Sequence, residues 1–376
     1  MKKRSILVFS QNYYPSSLAD SVRIIPVIEY LLQHEFIIHL LTQTQESLKL
    51  RNEQLNISLL KFVKPNNTDN SIIRLIKEVL LGVEIFIRIL FTTKCEYYFF
   101  TSPPFISCYI GSLCTLLKGG KIIFDVRDIY PDIYVKQGLI RENGFIHKNI
   151  TLLEKFIYRK SYVVLAATAG LYEIIKSRTQ STCVLFRNGY SKYFKISQNK
   201  NQNFSIIFHG NLGKFQNIEL LVEVIREINL VAPLIKFYAV GSGPKEVLLN
   251  LFKSPNFEFY GRLSNERTAE LVNRCHLGLS LRDDSQISID AFPVKLYEYI
   301  GAGLPSIATP ICEGGEVLSN LKIGYNVPND KTEIINLILS LYKNDLLYYS
   351  MINNIIACRE SFGREKTVMD VFDRIL

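Results

Sequence analysis

The sequence predicts an α/β protein made of two doubly wound parallel-sheet domains. Three observations predict it. Near-continuous apolar runs of strand length, such as SILVFS (5–10) and FSIIFHGN (204–211), recur along the chain and alternate with segments of helical spacing. The alternation breaks once, at SKYFKISQNKNQN (191–203), which is polar, patternless and rich in Asn, Gln and Lys. A length of 376 residues is long for one core and ample for two.

The elements follow in order. SILVFS reads as a strand buried on both faces, followed by helical spacing from Ser21 to Leu32 with Asp20 as its N-cap. FIIHLLT (36–42), CEYYFFTSPP (95–104), GKIIFDVRD (120–128) and YVVLAAT (162–168) are further strands, each with helical pattern after it. After the polar stretch come FSIIFHGN, a helix over 216–231, IKFYAVGSGP (235–244), FEFYGRL (257–263), HLGLSL (276–281) and PSIAT (305–309). The expected organisation is a first domain over 1–190, a linker over 191–203 and a second domain over 204–360. A final helix, about 361–376, is expected to return to the first domain. Ligands of such sheets bind at the C-terminal ends of the strands, so a cleft between the two domains is expected.

Residues 71–92, SIIRLIKEVLLGVEIFIRILFT, carry Arg74, Lys77, Glu78, Glu84 and Arg88 on one helical face, with the rest strongly apolar. Five charges argue against a transmembrane span. Two readings stay open: a helix packed broadly on the sheet, or one lying in the plane of a membrane surface.

The net charge of +9 is uneven: 24 Lys and Arg face 15 Asp and Glu through Tyr190, against 20 and 20 from Ser191 onward. A basic first half points to an anionic partner there. There is no arginine-rich strip or aromatic platform, so nucleic acid is not expected. The seven cysteines include no C-x-x-C and their number is odd, which reads as reduced thiols without disulfides or zinc. The five histidines show no ligand spacing, so no metal is expected. Met1-Lys2-Lys3-Arg4 leads straight into SILVFS without a leader's apolar length or cleavage site, so a cytoplasmic location is expected.

The densest chemistry lies in DAFPVKLYEYIGAGLP (290–305). Pro293 at the first helical position starts a short helix from Val294 to about Gly301. Lys295 and Glu298, three apart, share a face, with Leu296, Tyr297 and Ile300 turned inward. Gly303 is a plausible left-handed stop. The helix N-terminus suits phosphate; a surface Lys295–Glu298 ion pair is the plainer reading.

This segment resembles the E-x7-E block and the P-x-K-x-x-E-Y pattern of GT-B glycosyltransferases of family 4, with the nearest similarity to bacterial O-antigen and capsule enzymes of the fucosamine transferase group. YYPSSLADSVR (13–23), TSPP (101–104), FDVRDIYPDIYVKQG (124–138), FRNGYS (186–191), HGNLGKFQN (209–217), VGSGP (240–244) and YGRLSNERTAEL (260–271) resemble successive family blocks in the same order. The resemblance implies a GT-B fold and a retaining hexosyltransferase of the EC 2.4 type. Its donor would be a nucleotide sugar, preferably UDP-linked, such as an N-acetylhexosamine or deoxy form. Its acceptor would be an undecaprenyl-diphosphate-linked saccharide at the inner face of the plasma membrane, met through the basic first domain.

The same resemblance implies roles. Glu298 holds the ribose hydroxyls, and Asp290, where relatives usually have Glu, meets the donor sugar. The backbone at Phe292, Pro293 and Val294 faces the sugar or diphosphate. Gly210 and Gly213 let phosphate approach, and Gly241 belongs to the neighbouring turn, while the base lies near Gly261 and Arg262. Asn211 and Gln216 stand where relatives carry cations, so Lys214 and Lys295 replace them on the leaving diphosphate, and no metal or other cofactor is implied. Asp128 would stand near the acceptor hydroxyl as a base, with Arg127 beside it; capping the next turn is its alternative. Ser16 and Ser17 allow close ligand approach, and Arg23 is either a phosphate contact or a surface charge. Two other classes remain as alternatives: a nucleotide-sugar 2-epimerase on the same fold, and a non-catalytic anion-binding protein.

Overall fold

The computed structural model describes residues 4–14, 19–62, 64–65, 71–136 and 140–376. The chain divides into two compact units, Met1–Arg187 with Val368–Leu376, and Asn188–Thr367.

The first unit is built on a parallel sheet of seven strands: β1 (Ser5–Phe9), β2 (Ile37–Thr42), β3 (Leu55–Leu59), β4 (Tyr97–Ser102), β5 (Lys121–Val126), β6 (Val163–Ala166) and β7 (Thr182–Leu185). Their order is β3-β2-β1-β4-β5-β6-β7. Register is parallel throughout; Val8 of β1, for example, lies beside Leu40 on one side and Phe99 on the other. Side chains alternate across the sheet. Leu7, Phe9, Phe100 and Phe124 face a core closed by helices Ser71–Phe91, Phe105–Lys118 and Phe145–Lys160. Ile6, Val8, Phe99 and Ile123 face a second core, which holds the helix Ala19–Gln33 and the end of the last helix, Arg364–Ile375. There the Phe372 ring lies 5.8 Å from Phe186, and the Tyr30 hydroxyl donates to Asp373 at 2.6 Å.

The second unit repeats the plan with β8 (Ser205–Asn211), β9 (Lys236–Ser242), β10 (Phe257–Phe259), β11 (Leu277–Leu281), β12 (Ser306–Thr309) and β13 (Gly324–Asn326), in the order β10-β9-β8-β11-β12-β13. Residues 191–203 form no helix or strand and lie on this unit. Lys195 N–H donates to the Asn273 side chain, and Lys200 Nζ donates to the carbonyls of Asn273 and Cys275.

Local differences from the sequence reading have simple causes. The first helix begins at Ala19, which puts Asp20 inside its first turn instead of at the cap. Strands β3, β7 and β13 were not foreseen; all three are sheet edges, and being partly exposed they lack the continuous apolar signature of a central strand. The Ser71–Phe91 helix does pack on the sheet through Leu81, Ile85 and Ile89, yet its outward side is apolar and its glutamates are buried. Among the described residues no helix is long and apolar enough to cross a membrane.

Candidate functional site

In the second unit the strand order reverses between β8 and β11. Helices leave on opposite faces at such a switch point, which opens a crevice at the strand C-terminal ends. Its floor is made of glycines. Gly210 and Gly241 sit at φ 123° and 153°, and a Cβ on Gly241 would lie 2.0 Å from the Gly210 carbonyl oxygen. Only glycine allows the two loops to meet backbone to backbone. Leu212 N–H donates to Ser242 O at 3.0 Å and Gly241 N–H to Gly261 O at 2.8 Å, so Gly261 and Arg262 join the same rim.

The Val294–Gly301 helix comes up against this floor. Pro293 is its N-cap, one residue before the expected position. The helix closes with Leu304 N–H on Tyr299 O and Gly303 N–H on Ile300 O, Gly303 standing at φ 73°: a Schellman end. Leu296, Tyr297, Tyr299 and Ile300 are all buried, so this helix has almost no solvent side. Lys295 is therefore buried too, at 7 % exposure. The surface ion pair with Glu298 is not what forms. Instead Lys295 Nζ donates to Gln216 Oε1 at 2.9 Å and lies 3.9 Å from the centre of the Phe208 ring. Directly above is Gly210, where a Cβ would be 3.5 Å from Lys295 Cε. Burial, helped by the Arg282 charge and opposed by Glu298, pushes the Lys295 ammonium down to about 7.

Arg282 is a cation the sequence reading missed. It follows β11 at the switch point, half-buried, with Nε donating to Ser288 Oγ at 3.2 Å. The available signal was a lone arginine directly after a buried strand, LGLSLR. The next residue, Asp283, accepts from Ser285 Oγ and Ser288 Oγ, both at 2.6 Å.

Glu298 stands one turn beyond Lys295, its side chain 18 % exposed and its Oε2 3.5 Å from His209 Nε2. Burial raises its carboxyl to about 7, against the charges of Arg364 and Lys295. His209, at the end of β8, is buried with its ring edge-on to Tyr299 at 5.1 Å. Burial and then the Lys295 charge push it down to about 3, so it is neutral. Among the described residues its Nε2 has no hydrogen-bond partner and stands 3.5 Å from Glu298 Oε2. Sequence reading passed over His209 because a single histidine in a strand carries no pattern.

The remaining expected residues are placed as follows. Lys214, Asn211 and Arg262 are exposed on the rim. Gly213 and Gly243 leave room for the Asn211 side chain, since a Cβ on either would fall 3.2 or 2.9 Å from it. Phe292 is buried and stacked on Tyr297 with ring centres 4.0 Å apart, while Val294 opens the helix. Asp290 is exposed and accepts from Gln286 Nε2 at 2.7 Å. In the first unit, Arg127 and Asp128 follow β5 at its C-terminal end, both half-buried. Arg23 is neither a surface charge nor open to phosphate. It is buried, with Nε and Nη2 donating to the two oxygens of Asp125 at 2.7 and 2.6 Å and Nη2 also reaching Phe186 O. Ser16 and Ser17 lie outside the described residues. Among the described residues no group of three or more His, Cys, Asp or Glu is placed to hold a metal ion.

Residues 190–357, nearly all of the second unit, match the family model of glycosyl transferases group 1. The chain carries a group 1 glycosyltransferase domain. No curated protein sequence matches the chain. Solved structures similar over both units include HepE from Anabaena in complex with UDP-glucose, at 13% identity and TM-score 0.71, covering 98% of each chain. WaaG, a glycosyltransferase involved in lipopolysaccharide biosynthesis, is similar at 11% identity and TM-score 0.67, covering 98% of this chain and 99% of its own. A Listeria monocytogenes structure named for UDP-N-acetylglucosamine 2-epimerase is similar at 10% identity and TM-score 0.66, covering 99% and 96%. These likenesses show the fold, GT-B. They do not separate transferase from epimerase.

Proposed function

We propose that this glycosyltransferase is a retaining enzyme that moves an N-acetylhexosamine or a deoxy form of it from a UDP-sugar to an undecaprenyl-diphosphate-linked saccharide, in the assembly of a bacterial surface polysaccharide. One observation carries the donor site: Lys295 is buried at the switch point under Gly210, next to the charge of Arg282, with a neutral amide as its hydrogen-bond partner. A buried cation without a carboxylate bonded to it has charge left for an anionic ligand. UDP is supported by the HepE complex, and the polysaccharide role by WaaG and by the sequence resemblance.

In this reading the nucleotide's diphosphate lies over Gly210 and Gly213. Glu298 accepts from both ribose hydroxyls, and the base rests against the backbone at Gly261 and Arg262. Asp290 contacts the sugar. The bond from the anomeric carbon to the diphosphate oxygen breaks, and its electron pair goes to that oxygen. Lys295, Arg282 and Lys214 stabilise the charge that grows there, the largest kind of contribution a fixed site makes. The acceptor hydroxyl attacks the anomeric carbon from the side of departure and passes its proton to the leaving phosphate oxygen, so the anomeric configuration is kept and UDP is released. Asp128 and Arg127 would serve the acceptor in the first unit.

The test is Glu298→Ala with UDP-binding calorimetry and turnover. Removing two charge-assisted hydrogen bonds should lower donor affinity about 100-fold. Unchanged affinity and turnover would overturn the assignment. UDP released without any lipid-linked saccharide would favour the epimerase reading.

A further inference from the structure

The Ser71–Phe91 helix faces water with its apolar side. Ile72, Ile76, Leu80, Val83, Ile87 and Phe91 are all exposed, Ile72 at 72 % and Phe91 at 83 %, along about 31 Å of helix. Isolated exposed apolar residues are ordinary, but an unbroken stripe of this length marks an interaction surface. The same layer carries a second patch on the Phe145–Lys160 helix, where Phe145, Ile146, Leu152 and Phe156 are exposed.

The charges say what covers it. The acidic side chains of the three helices Ser71–Phe91, Phe105–Lys118 and Phe145–Lys160 are Glu78, Glu84 and Glu154, and all three are buried. Each has a structural partner. Glu78 accepts from Ile106 N–H and pairs with Arg74, Glu84 accepts from the N–H groups of Lys61 and Phe62, and Glu154 pairs with Arg178. The basic residues Lys148, Arg159 and Lys160 are exposed, and Lys77, Arg88 and Lys155 partly so. These three helices therefore offer water apolar and cationic groups with no exposed acid of their own; Asp132, beside His147, is taken up by Arg178, and Glu142 is exposed just before the third helix. A second copy of the chain docking symmetrically here would set cation against cation. A surface that is apolar inside and anionic at its rim meets both features at once.

We propose that this face of the first unit rests on an anionic lipid bilayer, with the Ser71–Phe91 helix lying in the interfacial plane. The proposal deepens the reading of a lipid-linked acceptor and rests on it for its purpose. Glu78 lies level with Ile106, where the next helix leaves the C-terminal end of β4, and Lys118 Nζ caps the carbonyls of Ile89, Leu90 and Thr92. The two helices thus run side by side in one direction. The residues before Glu78 continue about 10 Å past the start of the second helix, on the edge of the sheet where ligands bind. The lipid-facing stripe begins at that edge, so an acceptor held by its lipid tail in the bilayer is delivered there.

The experiment is cosedimentation of the full chain with phosphatidylcholine vesicles, with and without phosphatidylglycerol, beside UDP calorimetry. The full chain should pellet with the anionic vesicles and bind at least about tenfold less at roughly 0.5 M salt. The Ile76→Glu, Leu80→Glu double variant should lose at least about tenfold in vesicle binding while keeping its melting temperature and UDP affinity, because both side chains are exposed. Three results would overturn the proposal: no binding of the unaltered chain, equal binding by the variant, or a dimer in sedimentation velocity that the variant dissolves. Vesicle failure with UDP binding intact sinks the surface alone. Loss of UDP binding with vesicle binding intact sinks the donor reading alone.

Discussion

Each of the two units buries a cation in its doubly wound core, and the two cations are treated differently. Arg23 in the first unit lies 4.1 Å above the Phe186 ring and is met by both oxygens of Asp125, which Thr101 Oγ also holds at 2.8 Å. Lys295 in the second unit lies above Phe208 in a similar way, yet its hydrogen-bond partner is the neutral Gln216. A bidentate carboxylate uses up the fork of a guanidinium and leaves nothing for a ligand. An amide oxygen leaves the ammonium's charge standing. In the proposed reading the same fold uses one buried cation as scaffold and keeps the other for an anion, and the partner tells them apart where burial does not.

The sharpest way to break this contrast is to replace each cation by methionine. Arg23→Met strands Asp125 in the core and should cost about 3–5 kcal/mol in urea unfolding, with UDP affinity of the folded protein unchanged. Lys295→Met removes a desolvated charge and should leave stability nearly as it was, while turnover falls about 100- to 1000-fold. Parallel unfolding curves and steady-state assays read both. If Lys295→Met unfolds the protein, or Arg23→Met abolishes UDP binding without moving the unfolding curve, the roles are reversed.

What was legible in the sequence follows the same physics. The central strands were legible because a strand buried on both faces is written as an apolar run, as in SILVFS and FSIIFHGN, and this sufficed for the fold class. The edges β3, β7 and β13 carry no such run. Within the site, the spacing of Lys295 and Glu298 and the glycines of HGNLG were visible, since turn chemistry and helix period are local. Partners were not. Arg23 finds Asp125 102 residues away, and Lys295 finds Gln216 79 residues away. Nothing local foretells whether a cation meets a carboxylate or an amide. The Ser71–Phe91 helix shows the same limit: its apolar stripe was plain, but the burial of Glu78 depends on the distant N–H of Ile106.

Titration sharpens the contrast with a smaller effect. The folded pKa of Glu298 is raised to about 7, so its contribution to stability is full below the unfolded value near 4.3 and is lost as pH rises through 7. The folded pKa of Lys295 is lowered to about 7, so its contribution is full above the unfolded value near 10.4 and is lost as pH falls through 7. Stability of the UDP-free protein should therefore dip near pH 7, by about 2 kcal/mol relative to pH 5 or 9. Glu298→Gln should make the limb below 7 shallower, where Glu154, also raised to about 7 by burial, adds its own slope. Lys295→Met should do the same to the limb above it, where Lys200, lowered to about 8 by burial, adds its own. Arg23→Met should lower the whole curve and keep both limbs. Melting temperatures across that range, with each variant subtracted from the unaltered protein, give the answer; a dip undiminished by both site variants would assign it elsewhere.

The smallest effect separates a buried cation from an exposed one within the same site. Lys214 stands exposed on the rim of the glycine loop, so its pull on a diphosphate is weakened by water and by salt. Lys214→Ala should lower UDP affinity only about threefold at low ionic strength, and the difference should vanish near 0.5 M salt, where the Debye length is only a few ångströms. The loss caused by Lys295→Met should persist at the same salt, because the ions that screen Lys214 cannot enter the space beneath Gly210. Calorimetric titration with UDP over a salt series compares the two directly. A Lys214 effect that is large and independent of salt would mean that the loop closes over the diphosphate and buries this lysine as well, and the rim would then belong to the catalytic machinery on equal terms with Lys295.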